Sequence, residues 1–242
     1  MYTDNLKFGK LPAKHDVRTL HLENYFTPSV VLPTTPDSKI WYDKVSDYGM
    51  MLNDQIGDCA IAGPGHFIQT WTANAGKEII VSDDDILKAY SDISGYDPKT
   101  GENDNGCALL DVLNYWRKTG IGGHTIGAFA SVNVRNIAMI KAGINLFGGM
   151  LNGINLPKTI KGENAWSITG SFNGDGAPGS LGGHCTDSFG FNPKEDINNT
   201  WAQNIPATWE FMIVYADERW VVFSNDFING KGLAPNGFNR DQ

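Results

Sequence analysis

The chain has 242 residues, a net charge of −8 at pH 7, 41% hydrophobic residues and 19% charged ones. That length can bury a full core, as one large domain or two closely packed halves. The acidic balance, with no basic stretch to offset it, argues against nucleic-acid and anionic-membrane binding, and no run approaches the roughly 20 apolar residues of a membrane span.

Residues 1–48 read as an extended arm laid over the rest. Met1 to Pro12 is polar and lacks the apolar core of a signal peptide, which points to synthesis in the cytoplasm. Pro12, Pro28, Pro33 and Pro36 then punctuate short apolar stretches such as Val30-Val31-Leu32. From Cys59 to about Asn74 a helical pattern places Phe67 and Trp71 one turn apart, with Pro64 expected to kink it. Ser82 with Asp85 resembles a capping box that opens a helix carrying Ile86, Leu87, Tyr90 and Ile93. Leu109, Val112, Leu113 and Trp116 mark a third helix, stopped near Gly120; Asn133 is the expected cap of a fourth, with Ile137, Ile140 and Ile144 on one face.

The second half changes character. Residues 149–156, 185–192, 210–216 and 219–225 read as strands, and Ala216-Asp217-Glu218-Arg219 as the turn between the last two. Residues 158–183 and 193–206, rich in Gly, Asn and Pro, read as long loops. Helices first and strands later indicate an α+β fold: a helical half over about 49–124 facing a β-rich half over about 125–242. A cleft between such halves is a usual place for a site.

The residues that could do chemistry start with Asn53-Asp54-Gln55-Ile56-Gly57-Asp58-Cys59. A thiol attacks as thiolate, and a helix N-terminus or a nearby imidazolium favours that form. Cys59 stands where a helix begins, so its own N–H and an upstream side-chain amide, Asn53 or Gln55, could receive a developing oxyanion. The competing reading is a small buried hydrophobe, the usual fate of a lone cysteine. Asp58 works against the thiolate if its charge points inward.

Gly182-Gly183-His184 precedes a strand and Ser224-Asn225 closes another. His184 could serve as base and Asn225 as the group that orients it. Otherwise they are a solvated loop histidine and a turn residue. Three cysteines, Cys59, Cys107 and Cys185, are too few for a disulfide framework and suit a reducing compartment. No Cys-x-x-Cys or His-x-x-x-His pair occurs, no nucleotide fingerprint is present, and the Asp83-Asp84-Asp85 run suits a helix start. Neither a metal nor a cofactor is expected.

Taken together, these segments resemble the papain-like cysteine peptidases over most of residues 48–228. The shared order is an amide-bearing stretch ending in Cys59, then Val81-Ser82-Asp83-Asp84-Asp85-Ile86-Leu87, Asp104-Asn105-Gly106-Cys107, Gly183-His184 and Val221-Val222-Phe223-Ser224-Asn225. Leu52 to Cys59, Phe8-Gly9-Lys10-Leu11-Pro12, Trp116 and Gly120-Ile121-Gly122-Gly123-His124 look most like the phage-encoded and related bacterial branch.

The resemblance implies a papain-like fold, with Cys59 as nucleophile, His184 as general base and acid, and Asn225 as orienter. The family's oxyanion glutamine stands six positions before the cysteine, where this chain has Asn53; Gln55 matches by residue type only. Asn225 is followed by Asp226-Phe227 where the family has Ser-Trp-Gly, and Ala60 replaces the aromatic after the nucleophile. The implied activity is peptide-bond hydrolysis through an acyl-enzyme, with a peptide or protein as substrate. The rival from another class is a phage virion-associated structural or decoration protein, with other virion proteins as partners and a lost or repurposed site. An amidase or transglutaminase-like acyl transfer would use the same residues.

Overall fold

The structure is a computed structural model that describes residues 6–26, 33–228 and 232–237; Pro28 and Val30-Val31-Leu32 lie outside them. Its centre is helix α1 (Cys59–Ala75), which buries every residue from Cys59 to Thr72. A helix apolar on all sides belongs inside a protein. Phe67 and Trp71 lock it to the neighbouring helix, with the Trp71 and Trp116 rings stacked 5.6 Å apart. Pro64 removes one hydrogen bond without ending the helix, which runs on to Gly76, left-handed at φ +110°.

Helix α2 (Asp83–Ser94) opens as the sequence indicates: Ser82 Oγ accepts the Asp85 N–H at 3.2 Å, with three aspartates in the first turn. Helix α3 (Leu109–Lys118) buries Leu109, Val112, Leu113 and Trp116. Helix α4 (Ile137–Phe147) starts later than expected. Asn133 caps only a preceding turn, through Arg135 N–H, while Asn136 accepts from Met139 N–H and is the true cap.

Among the described residues, seven strands form one antiparallel sheet: β1 (Lys39–Ile40), β2 (Ala128–Ser131), β3 (Met150–Leu156), β4 (Gly182–Phe191), β5 (Glu195–Thr200), β6 (Gln203–Thr208) and β7 (Ala216–Phe223). The order is β2-β7-β3-β4-β5-β6, and β1 pairs with the far end of β4. The fold is therefore α+β, as the order of elements indicates.

Three further local expectations fail. Residues 193–206 contain most of the β5–β6 hairpin rather than a loop. Their polar residues mislead because the sheet buries them in pairs: Arg219 Nη1 donates to Asp196 at 2.8 Å, and Thr186 Oγ1 donates to Asn198 at 2.7 Å. The run expected as a strand over 210–216 is instead a fifth helix, α5 (Trp209–Tyr215), begun by Thr208, whose Oγ1 accepts the Phe211 N–H. A short apolar run has no period that separates strand from helix, so the cap decides. Ala216 to Arg219, expected as a turn, begins β7.

Successive residues of β4 point to opposite faces. Cys185 and Asp187 face α1, where a side chain on Gly63 would meet both. His184 and Thr186 face the other way, toward β5 side chains. The start of β4 thus lies beside the start of α1.

Candidate active site

The chain approaches Cys59 through a strained bend. Met51 and Leu52 hold φ of +48° and +70°, a left-handed state that costs a side-chain-bearing residue about 1–2 kcal/mol. The bend carries Asn53 inward, where it is buried. Asp104 fixes the next step by accepting the Gly57 N–H at 2.8 Å and the Tyr90 hydroxyl at 2.6 Å. Cys59 is then the first residue of α1, and its Sγ accepts the Cys185 N–H at 3.4 Å.

His184 is fully buried in β4, not a solvated loop residue. Its Nε2 lies 2.6 Å from Thr200 Oγ1, and its ring stacks on Trp201 at 4.1 Å with an 18° tilt. Nδ1 has no hydrogen-bond partner. Trp201 reaches the ring from a two-residue hairpin turn in which it and Ala202 both hold positive φ, +47° and +58°. Of five such non-glycine residues among those described, four are these two and the Met51-Leu52 pair, so backbone strain gathers around Cys59 and His184.

The structure brings Asn53 to the site and leaves Gln55 exposed in the preceding turn. The Asn53 amide donates to Asp58 Oδ1 at 3.2 Å and to the Ile56 carbonyl at 3.4 Å, both within the loop before Cys59. Asn225 is not brought to His184. In the sheet, His184 lies opposite Ile154, and Ile154 opposite Ala216, the first residue of β7. Asn225 lies two residues beyond the end of that strand, and its turn packs through Phe227 against Trp41. The hydrogen bond expected from Asn225 is made by Thr200.

Sequence reasoning missed Thr200 and Trp201, although a signal was present. Asn199-Thr200-Trp201 closes the strand paired with that of His184 and enters the turn after it, and it is the nearest match to an Asn-Ser-Trp. Asn199 itself points away and donates to Asn204 Oδ1. Another pair sits behind Cys59: His66 Nδ1 is 3.8 Å from Asp187 Oδ2, while His66 Nε2 donates to the Gly49 carbonyl. Burial pushes Asp187 up to about 6, opposed by His66.

Enclosure sets the charge state. Burial pushes the Cys59 thiol up to about 12, and Asp58 adds to the shift against the N–H groups of Cys185, Gly9 and Ala60. Burial alone takes His184 down to about 3. Asp58 is raised to about 8 by burial, opposed by Asn53. At neutral pH Cys59 and His184 are therefore both uncharged.

The enclosing element is the N-terminal arm. Lys7 to Leu11 threads between the two walls of the cleft. Cys107 N–H donates to the Gly9 carbonyl at 2.8 Å, Leu11 N–H to the Cys107 carbonyl at 3.0 Å, and Lys7 N–H to the Asn53 carbonyl at 3.3 Å. On the sheet side Lys10 N–H donates to the Gly183 carbonyl at 3.2 Å, and Trp201 Nε1 to the Lys7 carbonyl at 3.3 Å. Phe8 closes over His184, ring edge to ring face at 5.5 Å. Gly9 passes so near that a Cβ on it would overlap the Gly57 carbonyl oxygen. No group of three or more metal-ligating side chains occurs among the described residues, and no helix there is long and apolar enough to cross a membrane.

Neither a protein-family model nor a curated protein matches the sequence. Solved structures do match the fold. Xylellain, a cysteine protease from Xylella fastidiosa, is 16% identical and superposes with a TM-score of 0.69 over 93% of this chain and 98% of its own. Digestive procathepsin L 3 of Tenebrio molitor is 10% identical, TM-score 0.57, over 91% of this chain and 74% of its own. The cysteine protease and lectin-like domains of Cwp84 from Clostridium difficile are 9% identical, TM-score 0.64, over 90% of this chain and 56% of theirs. The fold is papain-like.

Proposed function

We propose that the chain is a papain-like thiol hydrolase that cleaves peptide bonds and is held latent by its own N-terminal strap. The observation that carries the reading is that Cys59, at a helix N-terminus, meets the start of β4 through the Cys185 N–H, one residue after a histidine whose Nε2 is tied to Thr200, whose face is covered by Trp201 and whose Nδ1 is unpartnered.

The chemistry follows from removing the strap. Solvent then reaches Cys59 and His184, and both pKa values move back toward ordinary ones, allowing a thiolate–imidazolium pair. Cys59 Sγ attacks the scissile carbonyl, and His184 passes its proton to the leaving amine. The thioester that remains is hydrolysed by water, with His184 now taking a proton from it. The Cys59 N–H and the Asn53 amide are the donors for the oxyanion, Asn53 once it turns from Asp58. Thr200 holds the ring, and its hydroxyl oxygen can accept a hydrogen bond from Nε2–H as the imidazolium forms.

Two observations favour a second reading. The sealed cleft and the high thiol pKa also suit a structural module that keeps this fold without using the site, virion-associated or otherwise. A Gly9→Ala chain separates the two, because the added methyl evicts the strap without touching a charge. Hydrolysis of a mixed peptide library by Gly9→Ala, lost in Gly9→Ala/Cys59→Ser, is the expected outcome. Absence of cleavage in the Gly9→Ala chain with Cys59 exposed to alkylation would support the structural reading.

A further inference from the structure

The strap shows what the cleft accepts. Lys10 is the residue next along from the one lying over the Cys59 sulfur, and its side chain is wholly buried. Its ammonium bonds Asp217 Oδ1 at 2.6 Å and stands 3.6 Å from Glu218 Oε1. Asp217 is placed by the Asn155 amide at 3.2 Å, and Glu218 Oε2 by the Trp220 indole N–H at 2.8 Å. Glu218 Oε1, itself buried, has no hydrogen-bond donor. Two glycines make room for the stem: a Cβ on Gly153 would lie 2.6 Å from Glu218 Cγ and against Lys10 Cε, and one on Gly183 would overlap the Lys10 carbonyl.

We infer that the pocket formed by Asp217, Glu218, Gly153 and Gly183 is a substrate subsite for a basic side chain, and that Lys10 fills it only while the strap is in place. This rests on the peptidase reading and deepens it, since it names peptides bearing lysine or arginine beside the scissile bond as the substrate class. The physical reason is what the strap leaves behind. Two carboxylates, one of them almost wholly buried, lose their counter-charge together, and burying unpaired like charges is expensive. An incoming ammonium or guanidinium restores the pairing, whereas an apolar side chain of equal length leaves the carboxylates unmatched. The same two carboxylates also border an open groove of about 640 Å³ on the outer side, beside residues 13–23 of the arm. A charged side chain can therefore reach them without losing all contact with water.

The test uses the full chain carrying Gly9→Ala. Synthetic heptapeptides of the sequence of residues 6–12, with lysine, arginine, methionine or glutamine at the position of Lys10, compete with iodoacetamide for the cleft. A peptide library varied at one position is scored for kcat/KM. Lysine and arginine peptides are expected to protect Cys59 at concentrations at least about tenfold lower than the methionine peptide. The preference should disappear in Asp217→Asn/Glu218→Gln, and Gly153→Ala should weaken it by filling the stem channel. Equal protection by all four peptides overturns the subsite. Charge-selective protection without any hydrolysis leaves the subsite standing and overturns the peptidase reading instead. Hydrolysis with no basic preference does the reverse.

Discussion

The start of β4 and the end of β7 look alike in the sequence and differ completely in the fold. Each joins a strand terminus to a polar residue of catalytic type, His184 in one case and Asn225 in the other. His184 is enclosed by Phe8, Thr200 and Trp201 and directly precedes Cys185, whose N–H donates to Cys59 Sγ. Asn225 sits beyond the opposite end of its strand, in a short turn whose Ser224 Oγ accepts the Asp226 N–H. Residue type is the same kind of signal at both ends, but the register of an antiparallel sheet decides which end lies by Cys59.

That contrast can be broken in order of effect. In the Gly9→Ala background, His184→Ala is expected to lower kcat/KM for peptides by roughly 10³-fold, within the range for a general acid–base. A loss under tenfold would remove His184 from the mechanism. Thr200→Val should cost roughly tenfold, the scale of one buried hydrogen bond, with Thr200→Ser restoring most of it; the rate-pH profile should shift with Val and not with Ser. If Val and Ser behave alike, Thr200 does not position the ring. Asn225→Ala and Gln55→Ala should each change the rate by less than about twofold. A hundredfold loss from Asn225→Ala would mean that the working site is arranged differently from this one.

The same region has a pH signature in stability. His184 holds its proton only below about 3 in the folded chain, against 6.5 when unconstrained. As pH falls through 6.5 the unfolded chain binds a proton that the folded chain refuses, so stability is lost progressively from there toward pH 3. Urea titrations of His184→Gln should lack that component of the acid slope, and an unchanged slope would show that His184 is not buried neutral.

Much of the helical side was legible because its signals are local. Cys59 at a helix start, the Ser82 cap and the Leu109 to Trp116 face need no knowledge of what they pack against. The sheet was less legible for a physical reason. Its β5 strand carries Asp196, Asn198 and Thr200, polar residues buried by pairing with Arg219, Thr186 and His184, and such a strand reads as loop. With β5 unseen, the strand next to His184 was missing and the orienting role went to Asn225. The strap was equally hidden: Phe8-Gly9-Lys10 is recognisable as a motif, but only the fold shows that Gly9 lies over a thiol and Lys10 in an acidic pocket.

The most direct test of the account is the rate at which each of the three cysteines is alkylated by iodoacetamide, resolved by mass spectrometry, in the wild-type and Gly9→Ala chains at neutral pH. In the wild type all three should react slowly, since each thiol is buried and raised in pKa. In Gly9→Ala, Cys59 should accelerate by roughly a hundredfold or more as its pKa falls by two units or more, outpace Cys107 and Cys185, and slow again when His184→Ala is added. A Cys59 that stays as slow as the other two once the strap is displaced would contradict it.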